Sequence, residues 1–136
     1  MELDQALMRF PGAVAFRYGD GSVLNAQILA LVRSGAKTVT CDALKGFQAR
    51  GEALPEVGRV DIACDWDWCP VCAVETVEVL ILPFETMSEE LVADQGEFSH
   101  LADWRRGYRS YLDRGVGFTP GIEMVVERFR LVEAFA

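Results

Sequence analysis

The stretch Gly35-Ala36-Lys37-Thr38-Val39-Thr40 marks a change of period in the chain. Before it, Leu24, Ile28, Leu31 and Val32 recur at helical spacing and leave Asn25, Gln27 and Arg33 on other faces. After it, Thr38 to Cys41 has the β-branched character of a strand. A helix from Ser22 to Ser34 must therefore stop, and a strand begin, within a few residues of Lys37. Gly35 suits the stop, because a residue without Cβ enters the left-handed closing conformation freely. Ser22 stands at the expected N-cap, where its hydroxyl would accept from an amide of the first turn. Such a junction belongs to a mixed architecture. Lys37 is one of two lysines against eleven arginines. Its residue type alone fits a solvated turn as well as a functional position.

The rest of the chain fills in that architecture. Leu3, Leu7 and Phe10 share one side of a short helix that Pro11-Gly12 ends. Ala13 to Tyr18 is compatible with a strand before the turn Gly19-Asp20-Gly21. Asp42 to Arg50 fits a short helix or a loop, and Gly51 to Gly58 a surface loop. Arg59 to Cys64 alternates, with Val60, Ile62 and Cys64 on one face, and leads to a turn whose Trp66 and Trp68 are expected to pack on the domain's own surface. Val71 to Leu82 is the longest extended segment, closed by Pro83, and places Glu75 and Glu78 on opposite faces. Thr86-Met87-Ser88-Glu89 has the form of a capping box opening a helix that Gly96 stops. From Ser99 a second helix carries Leu101, Trp104, Tyr108, Tyr111 and Leu112 on one stripe. Ile122 to Val132 is a last strand with Glu127 and Arg128 on opposite faces. This order predicts one α+β domain over residues 1–136, a small barrel made from a strongly curved mixed sheet and flanked by helices.

Charge and cysteine usage narrow the function. A formal charge of −8 repels polyanions, so long nucleic acid is disfavoured. Arg105, Arg106, Arg109 and Arg114 nevertheless gather in one segment, and Arg33, Lys37, Lys45 and Arg50 in another. Each group is either a solvated helix face or a grip for a small anion or short RNA. The start of the chain lacks a basic region before an apolar stretch, and the longest apolar run, Val79 to Phe84, is far too short to span a bilayer. A cytoplasmic location without membrane association is expected. Cys69-Pro70-Val71-Cys72 has the spacing of a zinc knuckle or redox pair, but it enters a strand, and Cys41 and Cys64 are singles. Buried or incidental thiols are expected, with no metal and no cofactor. The single histidine, His100, reads as a surface residue, which leaves no nucleophilic triad. Lys37 offers a different chemistry. A lysine in a partly dry cleft can lose its proton near neutral pH and activate Thr40 as a nucleophile, with a carboxylate beside them to shuttle protons.

An ordered set of motifs resembles the ASCH domain superfamily. It comprises Tyr18-Gly19-Asp20, Leu29 to Thr40 with its Gly-x-Lys signature, Leu54-Pro55-Glu56-Val57-Gly58, Pro70-Val71-Cys72, Glu75 to Val79, Pro83-Phe84, Gly96-Glu97, Trp104-Arg105 and Glu127-Arg128-Phe129. The resemblance covers nearly the full chain and implies a β-barrel related to the PUA fold, with helices beside a cleft that holds the Gly-x-Lys segment. Some small bacterial members are amidohydrolases that deacetylate an acetylated cytidine with the motif lysine, the threonine three residues on and a glutamate. Lys37 and Thr40 match two of these positions, but Gln95 stands at the third. Glu97 is the nearest acid to take its place, with Glu78 second, so the expected catalytic set is Lys37 and Thr40 from the resemblance with Glu97 as the substitute acid. Tyr108 stands where many relatives carry histidine. Other members are ribonucleases that use a similarly placed lysine with tyrosine and serine, for which Tyr18, Tyr108 and Ser34 are loosely suggestive. Binding without catalysis asks less of the sequence, with Thr38, Glu78, Trp104, Arg105, Tyr108 and Arg128 as the ligand-binding set. The expected partner is a small nucleoside, a nucleotide or a short RNA.

Overall fold

A computed structural model describes all residues from Met1 to Ala136. Its elements run α1 (Leu3–Arg9), β1 (Ala15–Arg17), α2 (Ser22–Ser34), β2 (Val39–Ala43), α3 (Leu44–Arg50), β3 (Val60–Cys64), β4 (Pro70–Pro83), α4 (Glu89–Gln95), α5 (Leu101–Arg114) and β5 (Glu123–Ala134), with a single 3-10 turn at Phe84–Thr86 before α4. The strands form one five-stranded sheet in the order β1-β3-β4-β5-β2, parallel between β1 and β3 and antiparallel elsewhere. The long ribbon of β4 and β5 is its spine, and its register slips near Ala73/Val74 and between Thr76 and Glu78.

The mixed α+β architecture is as the alternating periods require, but the barrel is not. β1 and β2 lie at opposite edges with no pairing between them, so the sheet stays open, and the strongly curved barrel gives way to this open sheet. Two helix caps also differ. Gly21 takes the N-cap of α2 and Ser22 becomes its first residue. Ser88, not Thr86, caps α4, accepting from the Leu91 amide at 3.2 Å, because Pro83 and the 3-10 turn carry the chain two residues further before a helix starts. Asp42 to Arg50 splits between the end of β2 and the helix α3.

Alternation along β5 gives the sheet two apolar faces. Met124 and Val126 join Val39, Phe84, Met87, Val92, Trp104 and Leu112 in a core under α4 and α5. Phe129, on the opposite face, joins Tyr18, Ile28, Leu29, Val32 and Val74 under α2. A third cluster seats α1 through Ala6 against Ile62, Ala73 and Phe135. Trp104 is wholly buried and stacks between Phe84 and Tyr108, with centroid separations of 4.7 and 4.9 Å. Truncating such a ring costs about 3–5 kcal/mol. No helix is long and apolar enough to cross a membrane.

Candidate functional site

Two backbone segments meet at the centre of the site. The end of α4 lies against the turn that leads from α2 into β2, where the Thr38 amide donates to the Asp94 carbonyl at 2.8 Å. Gly96 closes α4 at φ 73°, and a Cβ there would stand 2.8 Å from the Ala36 carbonyl oxygen. Only glycine meets both demands. On the other side, Gly35 at φ 84° ends α2, and the Lys37 amide returns to the Leu31 carbonyl at 3.1 Å. Lys37 is thereby turned inward.

Its side chain is 1% exposed, a rare condition for lysine unless it is paired. Nζ donates to Glu97 Oε2 at 2.8 Å, to the Val39 carbonyl at 2.8 Å and to the Gln95 carbonyl at 3.3 Å. An ammonium has three N–H donors, and each finds an acceptor. The Glu97 side chain remains 20% exposed, so its carboxylate forms the rim between Lys37 and solvent. β2 is an edge strand whose Thr38 carbonyl accepts from Phe129 on β5. Carbonyls alternate sides along a strand, so those of Val39 and Cys41 point the other way. Lys37 takes the first and the Tyr108 hydroxyl takes the second, at 3.1 Å.

Thr40 is half-buried on β2, opposite Glu127 of β5, and its hydroxyl is not among the partners of Lys37. It lies on the α2 face, since Val39 and Cys41 occupy the α5 face. Tyr18 is buried on the same α2 face, fixed where Asn25 of α2 donates to the carbonyls of Tyr18 and Cys64 at 2.9 and 3.2 Å. Burial drives the Tyr18 phenol well above its ordinary value, and the charges of Glu127, Asp61 and Glu97 add to the rise. The phenol is thus within electrostatic reach of Glu127, which stands opposite Thr40.

The remaining sites foreseen in the sequence scatter. Thr38 is half-buried and held through its backbone. Arg128 bonds Asp94 of α4 at 2.8 Å and approaches Glu78 at 3.7 Å, so it clamps α4 to the sheet. Glu78 is exposed and does not approach Lys37 as Glu97 does. Arg105 is exposed on α5. Trp104 has no face left for a ligand: it is fully buried, and its indole N–H is spent on Gln95 Oε1 at 3.1 Å. Tyr108 stacks on that indole, and burial followed by the neighbouring Cys41 raises its phenol well above the ordinary range. Trp104 and Tyr108 are the wall behind the site and not its lining.

Gln95 has the same wall position. It is fully buried, and because Trp104 Nε1 can only donate, the amide must turn its oxygen to the indole, which leaves Nε2 without a partner. Cys41 contacts the same oxygen at 3.7 Å, and burial pushes its thiol up to about 11. Burial does the same to Cys64 and Cys72, while Cys69 alone is exposed. At the nearby hairpin the Arg17 guanidinium lies 3.8 Å from the Trp66 ring centre and 4.4 Å from that of Trp68, so both indoles pack on the domain itself. Two open concavities lie elsewhere. One of about 370 Å³ is lined by Arg106, Arg109, Ser110, Asp113 and Arg114 of α5, and one of about 330 Å³ lies beside Arg9 and Arg59. Neither touches Lys37 or Glu97. Volume alone is a poor guide against a buried ion pair.

Lys37 is turned inward by the Gly35-Ala36-Lys37 segment, against the glycine-closed end of α4. The ASCH domain family model matches residues 14–133. The chain belongs to the ASCH domain family. Among solved structures, this ASCH domain is similar to an ASCH domain from Lactobacillus crispatus, with a TM-score of 0.81 and 24% identity over 94% of this chain and 84% of that one. A protein from Enterococcus faecalis gives a TM-score of 0.81 and 26% identity over 96% and 85%. An ASCH protein from Zymomonas mobilis is more distant, with a TM-score of 0.55 and 12% identity over 87% and 65%. No curated protein sequence matches the chain.

Sequence reasoning singled out Tyr18 only loosely and gave Glu127 no role near Lys37. The available signal was polar atoms at inward positions of an alternating strand: Glu127 shares its face with Phe129 and Val125.

Proposed function

We propose that this ASCH domain binds a nucleoside, or the terminal nucleotide of a short RNA, on the α2 face of the sheet beside Thr40 and Glu97. ASCH domains are generally RNA-binding, and membership of the family supports a ligand of this class. The observation that carries the reading is the buried Lys37–Glu97 pair. An ammonium withdrawn from solvent is costly unless it is well paired, and here it fixes one partly exposed carboxylate between itself and solvent. In this reading Lys37 is a positioning residue, and Glu97, Thr40 and Tyr18 make the ligand contacts. The net charge of −8 suits a small or terminal ligand over a long polyanion.

Hydrolysis of an acylated nucleoside is the second reading, favoured by the closeness of Lys37 to an acid with Thr40 one strand position beyond the Val39 carbonyl it grips. It requires the Lys37 ammonium to give up one proton, to Glu97 or to water, before its amine can accept one from Thr40. A panel of nucleosides and nucleoside monophosphates, read by thermal shift and then by chromatography for product, separates the two. Saturable stabilisation without product supports binding, whereas product from N4-acetylcytidine that disappears in Thr40→Val supports hydrolysis. If no nucleoside or nucleotide shifts the melt, the proposal fails.

A further inference from the structure

β4 outlasts the strand beside it. β3 pairs with β4 only from Pro70 to Glu75, and at Thr76 the Gly58 amide and the Arg59 carbonyl add one more rung, at 2.8 and 3.1 Å. From Val77 to Pro83 the far margin of β4 has no neighbour in the sheet, while its other margin stays paired with β5. The register fixes where each backbone group points. Phe84 donates to the Ile122 carbonyl at 2.8 Å, so by alternation Leu82, Leu80 and Glu78 turn their amides and carbonyls to Met124, Val126 and Arg128 of β5. Those of Val79 and Ile81 point outward and have no partner across the margin. The margin is also apolar, with Ile81 48% and Val77 39% exposed and Val79, Leu80 and Leu82 half-buried. On β2, by contrast, Lys37 and Tyr108 cover the outward carbonyls of Val39 and Cys41. This stretch of β4 has no such cover and no lysine, and an open strand margin of that kind accepts an extended chain.

We infer that the Val77–Pro83 margin of β4 docks an extended segment of another protein, apolar in its middle and basic at its ends. Charge around the margin selects that partner. At its start lies Glu56, in the turn that brings Gly58 to Thr76, and at its end lie Glu85 and Glu123, the latter opposite Pro83 on β5. All three are exposed and form no ion pair. The arginines nearest the margin are spent, Arg59 on Asp61, Arg128 on Asp94 and Glu78, and Arg130 on Glu75. Positive side chains on the incoming segment complete both ends. A second copy of this chain fits the margin in length, since a two-fold axis at Leu80 sets Val79 opposite Ile81. It also brings the Glu85 end of one chain to the Glu56 end of the other and joins two charges of −8, so charge favours the basic segment over self-pairing. The amides and carbonyls of Val79 and Ile81 bond alternate residues of the incoming strand, whose side chains then lie beside Val79 and Ile81 on one face and Leu80 on the other. The surface involves neither Lys37 nor Glu97 and does not depend on the nucleoside reading.

The test titrates a capped heptapeptide, Lys-Thr-Val-Thr-Val-Thr-Lys, into the isotope-labelled full chain and compares it with Glu-Thr-Val-Thr-Val-Thr-Glu. The amide resonances of Val79 and Ile81 are expected to shift saturably. The lysine-ended peptide should bind about fivefold tighter at low salt, as two exposed ion pairs allow, and the preference should fade at high salt. Ile81→Pro removes an outward donor and no bond to β5, so it should melt near wild type and bind the peptide about tenfold more weakly. The double variant Glu85→Lys/Glu123→Lys keeps the backbone margin and should abolish the preference, a readout that stands even where Ile81→Pro fails to fold. No saturable shift at Val79 and Ile81, or equal binding of the two peptides at low salt, overturns the inference. Concentration-dependent dimerisation in sedimentation that Ile81→Pro abolishes also overturns it, because the occupant is then a second copy.

Discussion

Replacing Lys37 with methionine isolates the electrostatic content of the site, because the thioether keeps most of the aliphatic stem and its packing while removing the ammonium. Three acceptors then lose their donor: Glu97 Oε2 and the carbonyls of Val39 and Gln95. Removing one partner of a buried ion pair costs about 3–5 kcal/mol. The low end applies here, since the Glu97 side chain is 20% exposed and water can reach it. The expected loss is therefore about 3 kcal/mol, or roughly 10 °C in Tm for a domain of this size. Urea unfolding of wild type, Lys37→Met, Glu97→Gln and the double variant forms a cycle. The double variant should cost less than the sum of the singles by about 1–2 kcal/mol. A Lys37→Met loss below about 1 kcal/mol, or a strictly additive cycle, would refute the argument that the amine is a structural pin held by that carboxylate.

Three further outcomes follow from the geometry. Gly96→Ala meets both a left-handed backbone and the Ala36 carbonyl at 2.8 Å, so it should destabilise by about 2–4 kcal/mol in urea unfolding and pull Glu97 away from Lys37, seen as a shifted Lys37 ammonium resonance. Glu127→Gln should change stability with pH. The folded carboxyl is raised, so its contribution is complete below the unfolded glutamate range and is lost as pH climbs through the folded value, and the variant should gain on wild type in Tm above that window and not below it. Of the four cysteines only Cys69 is exposed, and the three buried thiols sit near 11, so an alkylating reagent near neutral pH should label the native protein once and the unfolded protein at every cysteine.

The element order was legible because it rests on local patterns. The stripe in α2, the alternation in β3, the Gly35 and Gly96 stops and the Trp104 stripe all reflect spacing that one element imposes on its own residues. The sheet's closure was not, because whether β1 and β2 meet depends on register slips in β4 and β5, which leave no mark in either strand alone. The site divides along the same line. Lys37 and Glu97 were each readable as candidates, since both belong to one set of motifs, although which carboxylate faces the lysine was not. Glu127 opposite Thr40 was not, since that contact exists only once the last strand pairs with the second across more than eighty residues.

The outer margin of β2 has a second consequence. A strand that ends a sheet offers its outward carbonyls to any passing extended chain. Here two of those carbonyls are taken by the Lys37 ammonium and the Tyr108 hydroxyl. The side chains of Lys37 and Tyr108 therefore also guard the molecule against templating its own aggregation.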